Sequence, residues 1–246
     1  MSDVIRRMRP RSLRAWLLTG FAGIIVAAVV VFAVVYFVAL RGSSSAPLTL
    51  TSPASGSPGA SVSATDLAGT WTVGSGSVAG YRVREKLAFL PALSDAVGRT
   101  SSVSGNVVVS KTSDGYSVTT GSLTVDVSTL TSDREMRDRR IHRMGLESDT
   151  YPTATFTLTK PVVISTAAAE GQRAKLNATG DLTIHGSTRN VTIPITVQRN
   201  GNRIEAAGSI SFPFAEFGMT PPSIGGFVTV QDNATMEFDL HLQHQS

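Results

Sequence analysis

Gly180 to Val197 reads GDLTIHGSTRNVTIPITV. Leu182 and Ile184 alternate with Asp181, Thr183 and His185. After a short polar Gly-Ser-Thr turn, Val191, Ile193, Ile195 and Val197 alternate with Asn190, Thr192, Pro194 and Thr196. A period of two on both sides of a turn predicts a β-hairpin with one buried face. The same alternation recurs at Leu123, Val125 and Val127, and at Ala154, Phe156 and Leu158. It returns at Leu176–Ile184, at Ile204–Phe212 and at Met236, Phe238, Leu240 and Leu242. Val103–Ser110 adds a further strand, with a turn at Asp114-Gly115. About eight one-sided strands joined by short polar turns predict an all-β antiparallel barrel or sandwich. Closure into a barrel would remove the exposed edges of such long strands.

One stretch breaks the pattern. Ser132-Asp133-Arg134-Glu135 has capping-box spacing and precedes an Arg-rich run, so a helix or helical loop is expected to about Gly145. Its arginines read as a solvated charged face, or as a cationic rim able to meet an anionic headgroup. Leu87–Leu93, broken by Pro91, reads as a plug of the core or as an apolar lip at a cavity mouth. Ala178-x-Gly180 and Ala206-x-Gly208 place small residues in mid-strand. If these face a lumen they leave space for a ligand; tight backbone bends explain them nearly as well.

The net charge of +4 belongs to the N-terminus. Met1–Ala15 holds Arg6, Arg7, Arg9, Arg11 and Arg14 against Asp3, which is 5 − 1 = +4, leaving 17 basic and 17 acidic residues in the rest. A neutral domain gives no broad footprint for nucleic acid. Trp16–Leu40 carries no charge. As a helix it would be roughly 37 Å long, enough to cross a hydrocarbon core of about 30 Å. A cleaved signal peptide would have a shorter apolar run. The expected organisation is a basic cytoplasmic tail (1–15), a retained transmembrane helix (16–40), a flexible Ser/Pro/Gly-rich stalk (41–66) and a folded domain (67–246). The positive-inside rule puts that domain outside the cell membrane. Absence of cysteine excludes disulfides and thiolate chemistry.

No catalytic constellation is found. Gly74-Ser-Gly-Ser-Val-Ala79 formally fits a dinucleotide fingerprint, but an alternating strand follows it instead of a helix. His142, His185, His241 and His244 show no chelating geometry, so neither metal nor cofactor is expected. The acids are scattered, and no enzyme activity is predicted. Sequons at Asn177, Asn190 and Asn233 would matter only with eukaryotic glycosylation; Arg-over-Lys usage argues for a bacterial setting.

The opening hairpin also resembles a known signature. GDLTIHGSTRNVTIPI is similar to the G-x-LT-x-HG-x-T segment of the YceI-like, lipocalin-like polyisoprenoid-binding family. Ser77-Val78, Arg137-Asp138, Tyr151-Pro152 with Phe156, and Phe217-Gly218-Met219 with Ile224-Gly225 match further family elements in order. Met144-Gly-Leu146 stands where the family has an aromatic pair. The resemblance implies an extended lipocalin-like barrel with one helical interruption and an apolar channel for a polyisoprenoid or other long-chain amphiphile. It implies ligand contacts from Phe89, Leu123, Phe156, Leu182, Ile184, Val191, Ile193, Ile195, Ile210, Phe212 and Phe238. Arg137 and Arg140 are the candidate headgroup contacts. The alternative is an interaction ectodomain whose barrel is filled by its own side chains.

Overall fold

The computed structural model describes residues 26–33, 45–50, 66–88, 93–224 and 228–245. The chain divides into two units, Met1–Ser43 and Ser44–Ser246. In the first, residues 26–33 are helical. Among the described residues no helix is long and apolar enough to cross a membrane. The basic tail and most of the 16–40 span lie outside the described residues, as does Phe89.

The second unit is a closed antiparallel barrel. Its strands are β1 (Gly69–Val73), β2 (Val78–Leu87), β3 (Leu93–Thr100), β4 (Val103–Thr112), β5 (Gly115–Asp126) and β6 (Thr131–Ser132). They continue as β7 (Thr153–Leu158), β8 (Val162–Ile164), β9 (Ala174–Ile184), β10 (Ser187–Asn200), β11 (Arg203–Phe212), β12 (Ser223–Ile224) and β13 (Val228–His244). Successive pairings run β1-β4-β5-β7-β9-β10-β11-β13, and β13 pairs with β1 to close a ring of eight. β2 and β3 continue the walls begun by β1 and β4. β2 pairs with β13 and β3, and β3 pairs with β6. The apparent dinucleotide fingerprint is the bend between β1 and β2, where Ser77 Oγ donates to the Gly74 carbonyl at 2.9 Å.

The alternation expected of the opening hairpin is present: Leu182, Ile184 and Ile193 are buried while Thr192 and Pro194 are exposed. Its turn is tighter than the sequence suggests. Ile184 pairs with Ser187, so the loop is only His185-Gly186. Both residues have positive φ, 50° and 68°, as a two-residue type I′ turn requires. The Tyr151 ring packs on His185 with centroids 4.5 Å apart.

The helical interruption is an α-helix, Glu135–Arg140, followed by a π-helical turn, Ile141–Gly145. The expected capping box does not form. The N-cap is Arg134, and Ser132 instead donates through N and Oγ to Asp138 Oδ1 at 2.9 and 2.5 Å. A second short helix, Thr166–Ala169, is capped by Ser165, whose Oγ accepts from Ala168 N.

Residues 45–50, which composition places in the stalk, lie on the outer barrel face. Arg82 donates to the Ser45 carbonyl at 2.7 Å, Arg99 donates to that of Ala46, and Leu48 N donates to Glu237 at 3.4 Å. Glu237 points outward yet is only 3% exposed, because Arg82 and Arg99 converge on it at 3.4 and 3.2 Å beneath this segment.

The mid-strand glycines turn out to provide no empty space. A Cβ on Gly180 would run into the Thr157 carbonyl and lie 2.5 Å from Phe156 Cζ; one on Gly208 would lie 2.8 Å from Phe238 Cζ. Aromatic rings from neighbouring strands occupy the room that the missing side chains leave. Gly180→Ala should therefore destabilise the barrel by about 1–3 kcal/mol through overpacking, with the loss read from the midpoint of chemical denaturation. An unchanged midpoint would show that the Phe156 ring is not held against the backbone.

Candidate functional site: the barrel interior

Two cavities lie inside the barrel. The upper one, about 200 Å³, is bounded by β4, β5, β7, β8, β9–β11 and β13, with Leu67 and Ala168 among its lining residues. Its walls are almost wholly hydrocarbon: Val107, Leu123, Leu158, Ala178, Ile195 and Leu240 are typical, with Thr155, Gln198 and Arg199 among the few polar residues. The lower cavity, about 480 Å³, lies against the helical interruption. Ala79, Val125, Ala154 and Met236 line both, so the two spaces meet at this ring.

The strands explain why the space persists. Inward positions of a strand recur every second residue, and small ones among them — Ala79, Ala154, Ala178 and Ala206 — leave the middle of an eight-stranded barrel underfilled. Aromatic and aliphatic bulk is gathered below. Phe212, Phe214, Phe217 and Met219 form one buried cluster with Leu182 and Ile184, and Phe212 meets Phe217 edge-on at 4.6 Å. A second cluster around Trp71, which is fully buried and donates to the Leu67 carbonyl at 3.0 Å, lies by the upper cavity.

The residues expected from the sequence to meet a ligand distribute as follows. Leu123, Phe156, Leu182, Ile193, Ile195, Ile210 and Phe238 line the upper cavity, and Ile184 and Phe212 line the lower. Val191 lines neither; it packs against the lower core cluster near the hairpin turn. Arg137 and Arg140 both line the lower cavity. Sequence reasoning missed Ala79, Tyr81, Val83 and Met236, because alternation gives the inward face of β2 and β13 but not which inward positions border a cavity.

The most buried charge at the lower cavity, Glu85, is paired. β2 turns Tyr81, Val83 and Glu85 inward, and Glu85 is 6% exposed. Arg137 donates to Glu85 at 2.7 Å and also pairs with Asp133. Burial disfavours the Arg137 charge, yet the hydrogen bond and charge of Glu85, joined by Asp133, outweigh it and raise the guanidinium above its ordinary value. Arg137 is thus already engaged by two carboxylates. Arg139 pairs with Glu135 at the surface, 3.0 Å apart.

The histidines are structural in their contacts. His142 bonds Ser148 Oγ at 2.7 Å and the Leu130 carbonyl at 3.1 Å. His185 Nε2 lies 3.6 Å from Glu147, too far for a hydrogen bond. His244 stacks edge-on against Trp71. Among the described residues no group of three or more His, Cys, Asp or Glu is placed to hold a metal ion.

A model of the YceI-like domain matches residues 71–242. No curated protein matches the sequence. Among solved structures, a polyisoprenoid binding domain from Saccharophagus degradans has a TM-score of 0.53 at 16% identity, covering 72% of this chain and 99% of that one. BcnA from Burkholderia cenocepacia has a TM-score of 0.48 at 22% identity, covering 66% and 95%. The YceI protein of Campylobacter jejuni has 0.42 at 16%, covering 57% and 81%. The first of these likenesses carries the barrel fold.

The Glu85–Arg137 pair yields a direct test. Arg137→Met leaves a buried carboxylate without its cation and should cost about 3–5 kcal/mol of stability. Replacing both partners, Glu85→Met with Arg137→Met, should recover most of that loss. A double-mutant cycle by chemical denaturation measures both; additive effects would show that the pair is not coupled.

Proposed function

Because the chain belongs to the YceI-like family, and because two apolar cavities meet inside its barrel, we propose that the protein is a binding module for a polyisoprenoid or similar long-chain amphiphile. The carrying observation is the lining of the upper cavity. A 200 Å³ space walled mainly by Val, Leu, Ile, Ala and Phe side chains favours a hydrocarbon tail over water. The lower cavity adds the polar residues that a headgroup needs. The Saccharophagus degradans domain, described as polyisoprenoid binding, supports the same ligand class.

In this reading the protein is a carrier or reservoir and not an enzyme. The N-terminal sequence supports a single membrane span at 16–40 with the barrel on the extracytoplasmic side, since five arginines precede the apolar run. A covalent tether of this kind keeps the barrel within reach of a bilayer that supplies its ligand.

Native mass spectrometry of the full chain, extracted in mild detergent, should find a bound lipid that prenyl lipids displace. Ala178→Phe fills the upper cavity and should abolish that lipid while leaving the unfolding midpoint near wild type. A barrel already filled by its own side chains would instead lose about 1–3 kcal/mol from the same change. Topology is tested by Val163→Cys, since the chain has no native cysteine and Val163 is 70% exposed. A membrane-impermeant maleimide should label it in intact cells; labelling only after lysis would refute the extracytoplasmic placement.

A further inference from the structure

Among the described residues, buried side-chain atoms without a hydrogen-bond partner are Thr72 Oγ1, Tyr81 Oη, Arg82 Nε, Arg99 Nε, His185 Nε2 and Asp239 Oδ1. Tyr81 alone of these residues lines a cavity. A buried phenol that donates to nothing is costly, and such groups are normally satisfied by protein, water or ligand. Its ring lies close over the neighbouring strand. Gly98, its partner across β2 and β3, lacks a side chain, and a Cβ there would lie 2.6 Å from Tyr81 Cζ and 2.8 Å from its oxygen.

The depth of Tyr81 follows from the strand. Ala79, at the ring shared by the two cavities, is two residues away, roughly 7 Å along β2. Glu85, paired with Arg137, is four residues away on the other side, roughly 13 Å. Tyr81 therefore stands between an apolar pocket above and a salt bridge below.

Charge selects the kind of head that fits there. Arg137 is the cation whose charge acts on Tyr81, and it is committed to Glu85 and Asp133. Arg140, which also lines the lower cavity, makes no ion pair among the described residues. An anionic head would be drawn to Arg140, whereas the Glu85–Arg137 pair near Tyr81 is neutral as a unit and adds no net attraction for an anion. The unmet capacity at Tyr81 is a neutral donor. Burial drives its hydroxyl far above the ordinary value of about 10, against the opposing charge of Arg137, so it keeps its proton as pH rises through that range.

We propose that Tyr81 determines head specificity in the barrel: its hydroxyl donates to an uncharged acceptor oxygen, a carbonyl or an alcohol, on a lipid whose tail lies in the upper cavity. This rests on the lipid-binding reading and adds to it the chemistry of the head and its place on the lower side of the ring of Ala79 and Met236. Gly98 is the supporting position, since any side chain there would displace the ring.

The test uses the full chain in mild detergent, stripped of endogenous lipid, and three probes of one tail length: geranylgeraniol, geranylgeranyl monophosphate and the corresponding headless hydrocarbon. Tyr81→Phe removes one oxygen and keeps the ring, so denaturation midpoints verify that the barrel is intact. Affinity for geranylgeraniol should fall about tenfold, the scale of one lost buried hydrogen bond. Affinities for the hydrocarbon and the phosphate should stay within about twofold of wild type. Equal binding of geranylgeraniol by both proteins would overturn the proposal, as would a loss shared by all three probes, which reports packing instead of recognition. If none of the probes binds the wild-type chain, the lipid-binding reading itself fails and the proposal falls with it. Binding of the hydrocarbon and phosphate but not of the alcohol would leave the lipid-binding reading standing and overturn only the assignment of Tyr81.

Discussion

Ring closure through β13 is the constraint on which the interior depends. This strand of 17 residues hydrogen-bonds β11 along one edge, and β2 and then β1 along the other. Once it joins them, the eight walls have no free edge and the main-chain groups of the ring are satisfied within the sheet. The inward face can then be hydrocarbon throughout. An open sheet with the same residues would collapse on itself or on another surface to bury them. A closed one is held apart by its own hydrogen bonds and keeps a hollow where inward residues are small.

The two most buried charges in this frame, Glu85 and Glu237, are each met by counter-charges. Glu85 and Arg137 meet on the inner side, and Glu237 meets Arg82 and Arg99 on the outer side, where residues 45–50 cover it. A lone buried charge would cost several kcal/mol, so each cluster brings its counter-charge from a different segment. Glu85 draws its partner from the helical interruption, which fixes that excursion over the lower cavity. Glu237 draws its partners from β2 and β3 and ties the 45–50 segment to the wall. Both clusters therefore position chain segments that lie outside the eight-stranded ring.

The residues that carry the family resemblance are explained by folding and not by chemistry. His185 and Gly186 adopt positive φ in a two-residue turn, and a Cβ on Gly186 would lie 2.7 Å from the Tyr151 ring. Gly218 also has positive φ and ends the Phe214–Phe217 turn, which brings Phe217 and Met219 into the lower core. These positions fasten the hairpin, the Tyr151 segment and the late turn into one packed end. A motif of this sort identifies architecture, and the ligand question moves to the walls of the cavities.

Alternation along single strands was legible in the sequence because side chains of a strand point to opposite faces every second residue, whatever lies around them. It sufficed for an all-β antiparallel fold, for the inward set from Leu123 to Phe238, and for the helical break after Ser132, while the choice of barrel over sandwich rested on the family resemblance. Pairing across strands was not legible in this way. Gly180 and Gly208 looked like space and proved to be seats for Phe156 and Phe238, because a ring reaches them from a neighbouring strand. Arg137 looked available and proved to be engaged, because Glu85 lies 52 residues away in the chain. Tyr81 gave no signal at all, since the absence of a partner is a property of everything within reach of its oxygen. Residue order alone sets which side of each strand faces in; which inward positions are filled, paired or left waiting depends on contacts between strands, whose register periodicity cannot specify.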